Sequence, residues 1–207
     1  MERLTIIQHN ICTWHNKRLN LSNVYRQIDP DIILLNHTGI PTEPIHLRGY
    51  KVYSSNVQEQ HSRGTALAIK SKIEHRMIDD VDDDLLAVEV STRTGPIIII
   101  TDYLSPSADY INYHDYYRFM KRQCPVYVLA DLNARHRLLG HNQGNTVGKA
   151  VKEMIETGIA KRHNRDFPTF IGRQRFSNPD IVLFNRAAYH NVHLEPEPLT
   201  TSDHIPS

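Results

Sequence analysis

Two stretches constrain what this chain can fold into more than any other: four isoleucines in a row, Ile97–Ile100, and Val126–Ala130, which reads VYVLA. Both are apolar at consecutive positions. In a strand, successive side chains point to opposite faces, so these runs would present apolar groups on both faces. A strand of that kind needs a covering layer above and below it. Five further β-branched or apolar runs, Leu4–Ile7, Ile32–Leu35, Thr65–Ile69, Leu86–Val90 and Ile181–Phe184, are bounded by polar or Gly/Pro residues and also read as strands.

Helical signals fall between them. Asn20–Ile28 has apolar spacing before the Asp29-Pro30 stop, Asp109–Gln123 follows a Ser-Pro turn, and Thr146–Thr157 begins with Thr146 as cap and ends before Gly158. Strands and helices alternate irregularly, which predicts an α/β chain with two mixed β-sheets and helices on the outer faces. At 207 residues, with no internal repeat and no linker, a single domain spanning 1–207 is expected. The longest pure apolar run lies far below the ~20 residues of a membrane span. Two cysteines, Cys12 and Cys124, make no metal-ligand spacing and no disulfide framework, which fits an intracellular, reducing setting.

The net charge of +1 removes the global basic excess common in nucleic-acid binders, so any such contact must be local. One segment qualifies. Lys161–Phe176 carries Lys161, Arg162, Arg165, Arg173 and Arg175 against Asp166 alone, with Phe167, Phe170 and Phe176 interleaved. Basic residues among aromatics suit a DNA-facing loop, and a surface hairpin with buried phenylalanines fits the same pattern.

Chemistry concentrates at strand ends. The run Val126–His136, VYVLADLNARH, leads a buried strand into Asp131 and Asn133. Alternation predicts that these two share a side, where a carboxylate and an amide can hold one water between them and Asp131 can deprotonate it. A strand-ending Asx turn is the plainer reading. Ser202-Asp203-His204 sets a carboxylate beside an imidazole able to donate to a phosphate oxygen. Asp180 leads an apolar strand directly after the basic segment, placed to fix a histidine's tautomer. Gln8-His9-Asn10 and Asp102-Tyr103 close two other strands with groups able to contact a phosphate.

The order of these signals along the chain resembles the apurinic-endonuclease-like domain of non-LTR retrotransposons, within the exonuclease–endonuclease–phosphatase superfamily that includes DNase I. ADLNARH and the terminal Ser-Asp-His-Ile-Pro carry the likeness most specifically. The resemblance implies a four-layer sandwich, two sheets face to face between helices. It implies catalytic roles for Asp131, Asn133, His204, Asp180 and Tyr103, with Asn10, His37 and Asp203 at or near a metal. Thr169, Arg173, Arg175, Ser177 and His136 fall where the family contacts DNA. The implied cofactor is Mg²⁺, with Mn²⁺ as the other candidate. The implied partners are double-stranded target DNA and a reverse transcriptase domain in the same polyprotein, acting in the nucleus. The chain's stop at Ser207 fits a domain cut from such a polyprotein.

One position departs from the pattern. Such domains carry Glu in the motif that here reads Leu34-Leu35-Asn36-His37-Thr38, and imidazole is a poor ligand for Mg²⁺ but suits Mn²⁺ better. Two outcomes are open: an active nicking endonuclease that tolerates His37, or a weakened or dead nuclease-fold DNA-binding module. A phosphatase or phosphodiesterase of the same superfamily is the further alternative.

Overall fold

The computed structural model of the chain describes residues 3–39, 43–55, 64–81, 84–163, 170–171, 176–177, 179–188, 193, 195–196 and 204. In chain order the elements are β1 (Ile6–Asn10), α1 (Arg18–Ile28), β2 (Ile32–Asn36), β3 (Tyr50–Ser54), β4 (Thr65–Lys70), β5 (His75–Ile78), β6 (Leu86–Thr92), β7 (Gly95–Thr101), α2 (Tyr113–Met120), β8 (Val126–Asp131), α3 (Thr146–Glu156), β9 (Ala160–Arg162), β10 (Phe170–Ile171), β11 (Phe176–Ser177) and β12 (Asp180–Asn185). One sheet has the order β1-β2-β4-β3, the other β5-β6-β7-β8-β12-β9, and β10 pairs with β11. Both large sheets are mixed, with β1 parallel to β2 and β7 parallel to β8.

The consecutive apolar positions are explained by what lies on each side. Ile32, Leu34, Leu67 and Ile69 of the first sheet meet Val88, Val90, Ile99, Leu129 and Val182 of the second in a shared inner core. The intervening residues face outward. Ile33 and Leu35 pack with Leu21 and Tyr25 of α1. Ile98, Ile100, Val126 and Val128 pack with Tyr116 and Phe119 of α2 and Val147, Val151 and Met154 of α3. This is the expected sandwich of two sheets between helices. Each fully buried apolar side chain contributes ~1.5–3 kcal/mol, and the strands collect that on both faces.

Some boundaries differ from the sequence reading. β1 begins two residues later than the expected Leu4–Ile7 run and ends three residues later, because its polar end, Gln8-His9-Asn10, stays paired with β2 as far as Asn36. α2 is shorter than Asp109–Gln123, beginning after Asn112, whose side chain accepts from the Asp115 amide. The cap of α3 is Asn145 rather than Thr146: its Oδ1 accepts from Gly148 N at 2.8 Å. Strands β3, β5 and β9 went unread. They mix polar and apolar residues at or next to sheet edges, where pairing rather than apolar content defines a strand.

Candidate active site

Two strand–helix–strand crossovers, β1-α1-β2 and β7-α2-β8, send the ends of four strands to one edge of the sandwich. The convergence is visible in bonds between the sheets. Asn10 Nδ2, at the end of β1, donates to Asp131 Oδ2 at the end of β8 at 2.6 Å. Asn36 Nδ2, at the end of β2, donates to Thr101 Oγ1 at the end of β7 at 3.1 Å and to the Asp102 carbonyl at 2.9 Å.

The loops beyond these ends are held in unusual backbone. Cys12, Thr13 and His37 have φ of 46°, 80° and 55°. A β-branched residue such as Thr13 persists in the left-handed region only where its surroundings over-determine it. Here they do: Thr13 N donates to the His37 carbonyl at 2.7 Å and Trp14 N to the Thr38 carbonyl at 2.9 Å, extending the β1–β2 pairing past the strands. The His37 ring lies stacked on Tyr103, centroids 4.9 Å apart and planes 13° from parallel. Tyr103 in turn bridges Asp131 through the backbone.

Asp131 is fully buried. Its Oδ2 accepts from Asn10, and its Oδ1 accepts from Asn133 Nδ2 at 2.9 Å and, more weakly, from Asn133 N at 3.3 Å. The expectation that strand alternation sets Asp131 and Asn133 side by side with a water between them is corrected here. The strand ends at Asp131, Asn133 has φ of 47°, and its amide turns back onto the carboxylate directly. Asn133 Nδ2 also reaches the Leu104 carbonyl at 3.0 Å. From behind, Asn145 Nδ2 donates to the Asn133 carbonyl at 2.9 Å while its Oδ1 accepts from Arg135 N at 2.8 Å. The start of α3 therefore clamps the loop that carries Asn133. Gly148 makes the approach feasible, since a Cβ there would stand 1.9 Å from the Arg135 carbonyl oxygen.

Asp180 pairs with Asp131 in the β12–β8 register. Its Oδ2 contacts His204 Nδ1 at 3.0 Å. An ionised carboxylate can only accept, so Nδ1 carries the proton and Nε2 is left to face outward chemistry. His204 is buried, bridges Phe170 through the backbone and meets the Phe170 ring edge-on at 5.0 Å between centroids. Phe170 of the basic, aromatic segment thus forms part of the wall around His204. Ligand atoms of Asp131, Asp180 and His204 all lie within 4.8 Å of one another.

Of the other expected residues, His136 caps a 3₁₀ turn over Arg137–Leu139, its Nδ1 accepting from Leu138 N at 3.2 Å. Ser177 lies in β11. Asp203, Thr169, Arg173 and Arg175 lie outside the described residues.

Electrostatics follow from burial. Burial, then the Asp180 charge, push the Asp131 carboxyl up to about 7, against the lowering effects of His204 and the Asn10 hydrogen bond. His9, packed beside this cluster with Nδ1 at 2.9 Å from the Tyr25 hydroxyl, is pushed down to about 3, chiefly by burial. Two facing buried carboxylates are hard oxygen donors whose repulsion a divalent cation would relieve, so the residues present fit such an ion. The His37 ring stacks on Tyr103, which bridges Asp131 through the backbone.

Gln8 and Asn36, expected only as members of the runs Gln8-His9-Asn10 and Leu34-Leu35-Asn36-His37-Thr38, are drawn into the cluster as well. Gln8 Nε2 donates to Asn36 Oδ1 at 2.9 Å and to Asp180 Oδ1 at 2.6 Å. The signal was available: Gln8 and Asn10 are two apart on one strand and so share a face.

A family model described as endonuclease-reverse transcriptase matches residues 97–207. Among curated proteins none matches the chain. Among solved structures, the endonuclease domain of TRAS1, a telomere-specific non-LTR retrotransposon, is 18% identical at a TM-score of 0.75, covering 99% of this chain and 96% of that one. AP endonuclease LMAP from Leishmania major is 14% identical at a TM-score of 0.76, covering 98% and 86%. An AP endonuclease from Archaeoglobus fulgidus is 17% identical at a TM-score of 0.68, covering 99% and 97%. At these identities the likeness is one of fold.

Proposed function

The chain belongs to the endonuclease-reverse transcriptase family, and from that premise we propose that it nicks one strand of double-stranded target DNA, using a divalent cation, to leave a 3′-hydroxyl that primes reverse transcription. The observation that carries this reading is the convergence on Asp131. Two amides, Asn10 at the end of β1 and Asn133 in the loop after β8, hold a buried carboxylate at 2.6 and 2.9 Å beside an Asp180–His204 pair.

Each group then has a task. Asp131, ionised, takes a proton from a water that attacks phosphorus, and Asn10 and Asn133 hold the carboxylate in place for it. His204, oriented by Asp180 and acting as the imidazolium with a proton on each ring nitrogen, donates from Nε2 to a non-bridging phosphate oxygen as charge builds there. The bond from phosphorus to O3′ breaks, and O3′ leaves as the 3′-hydroxyl, taking its proton from solvent water. Asp131, Asp180 and the Asn10 amide oxygen are the groups that would hold Mg²⁺ or Mn²⁺, which supplies Lewis-acid stabilisation of the phosphate when bound.

DNA as substrate is supported by local charge. Residues 132–152 contain Arg135, Arg137, Lys149 and Lys152 and no Asp or Glu, in a chain whose net charge is +1. Arg135 and Arg137 are exposed next to the catalytic loop. Such a face suits phosphate backbone. The family's description supports a reverse transcriptase as companion domain, and with chromosomal DNA proposed as the target, the proposed place of action is the nucleus.

The test is nicking of supercoiled plasmid in Mg²⁺ and, separately, in Mn²⁺, beside Asp131→Ala and His37→Glu. Nicking by the unmodified chain, lost in Asp131→Ala with the fold intact by circular dichroism, is the expected result. DNA binding without cleavage in either metal, restored by His37→Glu, would instead establish a nuclease fold disabled at position 37.

A further inference from the structure

Gln8 is a buried polar residue in the middle of the sandwich, 1% exposed. Its amide nitrogen has two protons, and both are used: one on Asn36 Oδ1 at 2.9 Å, the other on Asp180 Oδ1 at 2.6 Å. Asp180 Oδ2 takes His204 Nδ1 at 3.0 Å. The direction of this chain is forced. A carboxylate only accepts, so Gln8 must present its nitrogen to Asp180. Asn36 must then present its oxygen to Gln8, leaving its nitrogen for Thr101 Oγ1 and the Asp102 carbonyl, and both of those bonds are made. Flipping either amide would set like against like in a buried setting and leave buried polar groups unsatisfied.

We propose that Gln8 is a positioning residue for the phosphodiester cleavage: its amide fixes one oxygen of Asp180 so that the other is held on His204. A carboxylate bonded through one oxygen can still rotate about its Cβ–Cγ bond. Bonded through both, to groups from two different elements, it cannot. The β1 strand that carries Asn10 to Asp131 thereby also sets the Asp180–His204 pair, through a residue two positions earlier on the same face. The two halves of the site, base and imidazole, are aligned by one strand. This role rests on the nuclease reading given above.

The experiment is a double-mutant cycle on the full chain, with plasmid nicking as one readout and ¹⁵N-histidine NMR as the other. Gln8→Met keeps the volume and removes both donors. Gln8→Asn keeps an amide but is one methylene too short to reach Asp180, and serves if the apolar variant does not fold. Either should lower kcat about 10- to 100-fold, the usual cost of losing a group that orients a reacting residue, with KM for DNA unchanged. In an Asp180→Asn background the same change should cost little further, because the residue it acts through is gone. The His204 Nδ1–H resonance should shift in both variants. Equal losses in the two backgrounds, or an unchanged His204 resonance in folded Gln8→Met, overturns the proposal. If the unmodified chain cleaves no DNA, the nuclease reading fails by itself, and the histidine resonance alone decides for or against Gln8.

Discussion

Asp131 is held where burial and chemistry pull in opposite directions. Removal from water and the neighbouring Asp180 favour its protonated form, yet the proposed reaction needs it ionised. Its carboxyl is pushed up to about 7 in the metal-free chain, and a cation held there would lower it, so the acid limb of log(kcat/KM), falling about one unit per pH unit, should move to lower pH as Mg²⁺ is raised. An ordinary exposed aspartate would place that limb near 4. pH–rate profiles between about 4 and 9, at limiting and at saturating Mg²⁺, check this: a limb that does not move with the metal would remove Asp131 as a proton acceptor coupled to the cation. At this scale the sequence showed which residues meet but not how. Asp131 and Asn133 were legible as a pair, while their direct bond depends on a left-handed residue at 133 that no strand pattern encodes. Gln8 was legible as a polar residue at a strand end, but its bond to Asp180 was not, because that partner is 172 positions away.

The loop carrying Asn133 is only as rigid as the element behind it. Asn145, capping α3, bonds the loop at Asn133 and at Arg135, and the absence of a side chain at Gly148 lets the helix lie against the Arg135 backbone. Gly148→Ala should therefore do more than its helix propensity suggests. Alanine favours a helix by about 0.8–1.0 kcal/mol over glycine, but a Cβ at 1.9 Å from a backbone oxygen forces helix and loop apart. The expected result is a net destabilisation of about 1–3 kcal/mol in urea unfolding together with loss of nicking. A stabilised, fully active variant would show that the helix does not hold the loop. The apolar cores of the central strands made most of the fold legible, since double-sided burial leaves an unbroken apolar run. The edge strands β3, β5 and β9 were not legible, because their identity lies in partners distant in sequence.

Across the whole molecule, the two sheets each contribute a buried titrating group, and their effects on stability oppose each other. His9 of β1 is pushed down from 6.5 to about 3, so the unfolded chain binds a proton that the folded chain refuses between those values. Its contribution is complete above about 6.5 and is lost as pH falls toward 3. Asp131 of β8 is pushed up from 3.8 to about 7, so the folded chain holds a proton that the unfolded chain has released. Its contribution is complete below about 3.8 and is lost as pH rises through 7. Between about 4 and 6.5 the two slopes have opposite signs and nearly cancel. The difference between a variant and the unmodified chain isolates each, because every other group is common to both. Measured by urea unfolding in chelator at pH of about 4, 5.5 and 7, Asp131→Asn should gain stability relative to the unmodified chain as pH rises. His9→Asn should lose relative stability over the lower part of the same range. A flat difference for Asp131→Asn would mean that the carboxylate meets its cost of burial some other way than by holding a proton, and the poised base of the proposed mechanism would go with it.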